Sequence, residues 1–186
     1  MWLDGEVREL LREHLLALVG YLALILLWRW RWDAGVVWLG VGIVIGYGLV
    51  FLDRWVYVYL THPHEQLSAQ VQYLVASRKL REAVETINLR RGEQTKLTTR
   101  SFLFVVAWVF LATFALTTTA DFLAQGVVMG LGLHLLSDLW RDWRRGQEYF
   151  AQKVFWQIKR RVSEREMRIF LYVFLGVFVL LSLGLV

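Results

Sequence analysis

The chain has 186 residues and a formal net charge of +5, with 57% hydrophobic and 15% aromatic residues, ten Trp, one Pro and no Cys. The missing cysteines exclude a disulfide framework, a zinc–thiolate site and a thiol nucleophile. The apolar residues gather in long uncharged runs, which makes lipid rather than water the expected solvent.

In chain order the runs are Leu15–Trp28, Ala34–Leu52, Ser101–Ala120, Phe122–Leu133 and Ile169–Val186. A spanning helix needs about 20 mostly apolar residues. The first run extends through alternating Arg29, Arg31 and Trp28, Trp30, Trp32, because indole favours the headgroup layer and arginine snorkels. The fourth extends past His134 to Asp138. Thr117–Asp121 reads as a tight turn, since one helix from Ser101 to Ser137 would be roughly 55 Å long, too long for one crossing. The expected class is therefore all-α: a single-domain polytopic membrane helical bundle over 1–186. It has about five transmembrane helices, near 15–32, 34–52, 101–120, 122–138 and 168–186, plus cytoplasmic amphipathic segments at 62–98 and 141–165.

Lys and Arg crowd two connectors. One runs from Arg54 to Arg100 and the other from Arg141 to Arg168, whereas the connector at Thr117–Asp121 has none. The positive-inside rule then predicts an inner-membrane protein with both basic connectors and the N-terminus in the cytoplasm and the C-terminus outside. The net charge follows from this topology, and no nucleic-acid partner is expected. Asp4, Glu6, Glu9 and Glu13 interrupt the N-terminal segment, which does not read as a signal peptide.

His62-Pro63-His64-Glu65 opens the first connector's helix, with apolar Leu67, Val71, Leu74, Leu80, Val84 and Ile87 at near-helical spacing and Gly92 as its stop. This helix packs beneath the membrane domain or receives a partner. The second connector interleaves Tyr149, Phe150, Phe155, Trp156 and Ile158 with cations, a composition suited to anionic lipid headgroups. Ser163 and Glu166 are spaced for a capping box opening the last span.

The histidines fall at the expected inner ends of spans. His14, next to Glu13, is read as headgroup chemistry. Gly126, Gly130, His134 and Asp138 are four residues apart and share one helical stripe, and Gly42 and Gly46 form a small-residue pair in the second span. If these glycine faces meet, Asp53, His62, His64, Glu65, His134 and Asp138 come within reach of one cation. Imidazole and carboxylate suit zinc, manganese or iron. In that reading His62, His64, His134 and Asp138 are the ligands and Asp53 or Glu65 is the base. Arg141, Arg144 and Arg145 hold a lipid or phosphate group. The bland alternative is an interfacial Asp53–Arg54 pair and glycines used only for packing or for self-association into a homo-oligomer.

At these residues the chain resembles bacterial membrane-bound metal-dependent hydrolases, a family distantly linked to zinc phospholipase C. Asp53 stands for that family's early aspartate motif. Thr61-His62-Pro63-His64 stands for its short histidine motif, without the family's arginine and following serine. Gly130-Leu131-Gly132-Leu133-His134-Leu135-Leu136-Ser137-Asp138 stands for its glycine-rich span ending in His-x-x-x-Asp. The resemblance covers about a tenth of the chain and implies a divalent metal and a phosphoester, lipid-like substrate. No Walker loop, dinucleotide fingerprint or His-Glu-x-x-His motif is present. The leading expectation is thus an inner-membrane protein whose basic helices bind a partner or lipid; the alternative is a metal-dependent hydrolase at the cytoplasmic face.

Overall fold

The structure is a computed structural model that describes residues 5–29, 33–90, 92–94, 96–118 and 121–185, the side chains of 5–8, 10 and 11 aside. Among these residues all regular structure is helical: α1 (Gly5–Arg29), α2 (Ala34–Leu49), α3 (Asp53–Val56), α4 (Gln66–Ala76), α5 (Leu80–Leu89), α6 (Phe102–Thr118), α7 (Phe122–Arg145), α8 (Gln147–Val154) and α9 (Glu164–Leu183). A 3-10 turn, Val50–Leu52, joins α2 to α3, and a π turn, Tyr57–Thr61, follows α3.

Three helices are long and apolar enough to cross a membrane: the composite Ala34–Thr61, Phe122–Arg145 and Glu164–Leu183. The five crossings expected from the sequence are therefore supported for three. Phe102–Thr118 has 17 residues, about 26 Å against a hydrocarbon layer of about 30 Å. The first expected span lies on α1, which begins among charged residues, and its last part, 30–32, lies outside the described residues. The expected turn at Thr117–Asp121 is bracketed by the end of α6 and the Asp121 cap of α7, while residues 119 and 120 lie outside the description. Leu27, Trp38, Phe110, Phe114 and Leu180 are well exposed on these helices. An apolar exterior of that kind fits lipid as its surroundings.

The ends of the helices follow local chemistry. Asp33 caps α2 by accepting from Val36 N at 2.9 Å, and Asp121 caps α7 by accepting from Leu123 N at 2.9 Å. Ser163 Oγ accepts from Glu166 N at 3.3 Å while the Glu166 carboxylate accepts from Ser163 N at 2.8 Å, the reciprocal box its spacing predicts.

The centre of the bundle is the α2–α7 seam, the most extensive helix contact in the molecule. Here the glycine faces meet. A Cβ on Gly46 would land on the Val127 carbonyl, and one on Gly130 on the Ile43 carbonyl. With no side chain between them the backbones touch, as small-residue stripes allow in lipid. Trp108 of α6 lies over Gly132 and donates from Nε1 to the Val128 carbonyl at 2.8 Å, and Phe174 and Phe178 of α9 close around its ring.

Two connectors depart from expectation. The span expected to stop at Leu52 remains helical to Thr61, with the first proline beyond it at Pro63. The segment expected to be helical over 62–98 is instead a hairpin of α4 and α5. Its corner is Arg78 at φ 61, where Lys79 N bonds to Leu74 O and Arg78 N to Val75 O, the hydrogen bonds of a Schellman ending. Ala83 and Ile87 are therefore the buried face of α5, while Leu80 and Val84 are exposed. They join Val58, Leu67 and Val71 in a small second core. In the other basic connector, expected to be helical over 141–165, α7 continues to Arg145, α8 ends at Val154 and 155–163 is non-helical.

A candidate metal centre at the charged end of the bundle

Beyond Gly130 the α7 stripe changes from glycine to His134 and Asp138, still facing α2 and α1. Both are buried, at 0% and 2% exposure, and His14 of α1 meets them at 4%. The two imidazole centroids are 4.7 Å apart, with Tyr47 and Phe51 packed on the His134 ring.

Hydrogen bonds fix both tautomers. His134 Nδ1 lies 2.8 Å from the Tyr47 carbonyl, which can only accept, so Nδ1 carries the proton. Arg141 Nη2 can only donate and lies 2.6 Å from His14 Nε2, so that nitrogen accepts and His14 Nδ1 carries the proton, 2.5 Å from the Tyr47 hydroxyl. In both rings Nε2 is the nitrogen turned to the interior. His134 Nε2 faces Asp138 Oδ2 at 3.2 Å, and His14 Nε2 faces Asp138 Oδ1 at 3.6 Å. His134 Nε2 and Asp138 Oδ2 are both fully enclosed, and the carboxylate oxygen is held by a guanidinium. One donor atom from each of the three residues lies within 4.8 Å of the others.

Cations surround this group. Arg100 Nη2 is 2.7 Å from Asp138 Oδ2. Arg141 reaches Asp138 Oδ1 at 3.3 Å, Glu13 Oε2 at 3.2 Å and His14 Nε2 at 2.6 Å. Burial works against the Arg100 charge, yet Asp138, Asp142 and Asp53 hold its pKa above the ordinary arginine value. Asp142 and Lys153 are buried alongside, and Lys153 and Arg100 offset the Asp142 charge.

The expected ligand set is thus divided. His134 and Asp138 sit together, joined by His14, which the sequence reading left to the headgroup layer. Asp53 is buried but turned away, accepting from Thr99 Oγ1 at 2.6 Å and Thr99 N at 3.2 Å. The 3-10 turn before it advances about 20° more per residue than an α-helix, so three residues swing Asp53 about 60° off the glycine face. His62, His64 and Glu65 lie past the π turn, and nine helical residues from Asp53 to His62 are about 13 Å of rise. There His62 stacks on Tyr57 at 4.4 Å and Glu65 accepts from the Tyr57 hydroxyl at 2.5 Å, while His64 is exposed. Of the arginines expected to hold phosphate, Arg141 is consumed by the buried group, Arg145 lies against the Tyr149 ring, and Arg144 is exposed.

His14 had a signal in the sequence. It shares a stripe with Leu18, Tyr21 and Ile25, the inward face of α1. Arg100 had none beyond standing next to an apolar run.

The donors fit a zinc-type ion by one measure: two imidazoles held as Nδ1–H, each backed by a structural acceptor, present Nε2 toward a carboxylate. They resist it by another, because two guanidiniums already neutralise Asp138 and one of them, Arg141, also donates to His14 Nε2. Comparison with known protein families, curated proteins and solved structures finds no match for this chain.

Proposed function

We propose that this all-helical protein is a cation-binding membrane protein, with His14, His134 and Asp138 as ligands for one divalent ion of the zinc, manganese or iron class. The observation that carries the reading is the enclosed convergence of two imidazoles and a carboxylate, whose donor atoms all lie within 4.8 Å of one another. The three donors are almost inaccessible, which favours a closed, structural ion tying α1 to α7 over a hydrolytic one that must admit water. In the hydrolase alternative the half-exposed Glu13, rather than Asp53 or Glu65, borders the group as the carboxylate able to accept a proton. The charged end would lie in the cytoplasm of a bacterial inner membrane, by the distribution of Lys and Arg.

A second reading rests on charge balance. Glu13, Asp138 and Asp142 offset Arg100, Arg141 and Lys153, and the group acts as a polar lock between helices.

Metal content of the purified protein, beside His14→Ala, His134→Ala and Asp138→Ala, separates the two. The proposal expects about one metal per chain in the wild type, lost in each variant, and a chelator that lowers the wild-type Tm but not the Tm of His134→Ala. Near-zero metal in all four proteins, with no chelator effect, removes the ion and leaves the lock.

A further inference from the structure

Among the described residues both basic connectors hold paired and unpaired exposed cations, and in the second the unpaired ones lie beside apolar grooves. In the hairpin, Lys79, Arg81 and Arg90 are each paired with a carboxylate of their own helix or turn: Glu82 at 3.3 Å, Glu85 at 3.0 Å and Glu93 at 2.7 Å. In the segment leading into α9, Arg160 and Arg168 are paired with Glu166 and Glu164. Lys159, Arg161 and Arg165 are exposed and have no carboxylate partner among the described residues. Unpaired cations this close together repel one another unless an outside anion joins them.

What lies beside them identifies the anion. Arg161 shares a groove of about 600 Å³ with Trp156 and Ile158, and with Glu148 and Glu164, the latter neutralised by Arg168. Arg165 and Arg168 head a second groove, of about 760 Å³, which continues along α9 over Ile169, Tyr172 and Val173. Those three side chains are more than half exposed and belong to a helix long and apolar enough to cross a membrane. A charged head running into an apolar rail on a spanning helix matches a molecule with a phosphate at one end and an acyl chain at the other. A soluble phosphate would use the head and leave the rail bare. Tryptophan beside the cations is the composition expected at headgroup level.

We propose that the strip Lys159–Arg165, continued by the exposed face Ile169–Tyr172–Val173 of α9, seats an anionic phospholipid, with its phosphate against Arg161 and Arg165 and one acyl chain along α9.

The test is lipid retention by the purified full chain in detergent, read by native mass spectrometry. Phosphatidylglycerol and phosphatidylcholine of equal chain length are titrated separately. The wild type should prefer phosphatidylglycerol by about tenfold or more. One interfacial cation changes binding about fivefold, so Arg161→Gln with Arg165→Gln should weaken phosphatidylglycerol about 25-fold. Lys79→Gln with Arg81→Gln removes the same charge from the paired hairpin and should leave retention unchanged. Ile169→Ser with Val173→Ser should weaken both lipids. Equal retention of the two lipids by the wild type overturns the proposal. So does an equal loss in the hairpin variant, which would make retention a matter of net charge. Displacement by millimolar inorganic phosphate, with the serine variant behaving as wild type, also overturns it and assigns the head to a soluble anion. Thermal unfolding of each variant confirms that retention is compared between folded proteins.

Discussion

Charged residues occur in two settings in this protein, and the setting decides what they do. In the α4–α5 hairpin, Arg81 and Glu85 meet at 3.0 Å but stand in solvent, with side-chain exposures of 80% and 44%. At the charged end of α7, Arg100 and Asp138 meet at 2.7 Å with exposures of 10% and 3%. The separations are similar, but the dielectric surroundings are not. A solvated pair gains little over two hydrated ions. A buried pair holds charges that neither member can abandon without leaving the other stranded. One region decorates the exposed surface of a hairpin; the other joins separate segments of chain in the interior.

The contrast can be broken most directly at Asp138. Asp138→Ala strands Arg100 and Arg141 and should cost about 3–5 kcal/mol, read as unfolding in detergent. A loss below about 1 kcal/mol would place this pair with the surface ones. Gly130→Val, one turn before His134, should cost about 1–3 kcal/mol or more, because a Cβ there meets the Ile43 carbonyl, and backbone cannot rotate aside. Should that variant unfold like the wild type, the seam is looser than its contacts indicate. Thr99→Ala removes the hydroxyl that Asp53 accepts from and should cost about 1–2 kcal/mol, visible as faster amide exchange in 96–101. Smallest of all, Glu85→Ala should move stability by less than about 0.5 kcal/mol. A larger change would show that the hairpin's exposed charges are not independent of its core.

What could be read before folding was local. The glycine stripes, the Ser163 cap and the His134–Asp138 pair each lie within one helix, where spacing alone places residues on a face. The partners of that pair could not be read this way. Asp53 stood at the right distance along α2 but lost its direction to three residues of tighter winding. His62 and His64 seemed close only if the helix ended at Leu52, whereas it runs on to Thr61. His14 and Arg100 come from chain about 120 and 34 residues away from His134, and no periodicity connects them. The hairpin was hidden by apolar spacing that bridges Leu74 and Leu80 as though the helix were unbroken, while Arg78 turns the backbone between them.

The seam of α2 and α7 has a mechanical consequence. Helices that meet through leucine or valine can slide by exchanging rotamers, since each ridge has another groove to occupy. Where Gly46 meets Val127 and Gly130 meets Ile43, the touching atoms belong to the main chain, which has no second rotamer to adopt. The two helices therefore form one stiff post. Exposing the buried histidines would require α1 to move against this post, not the post to come apart.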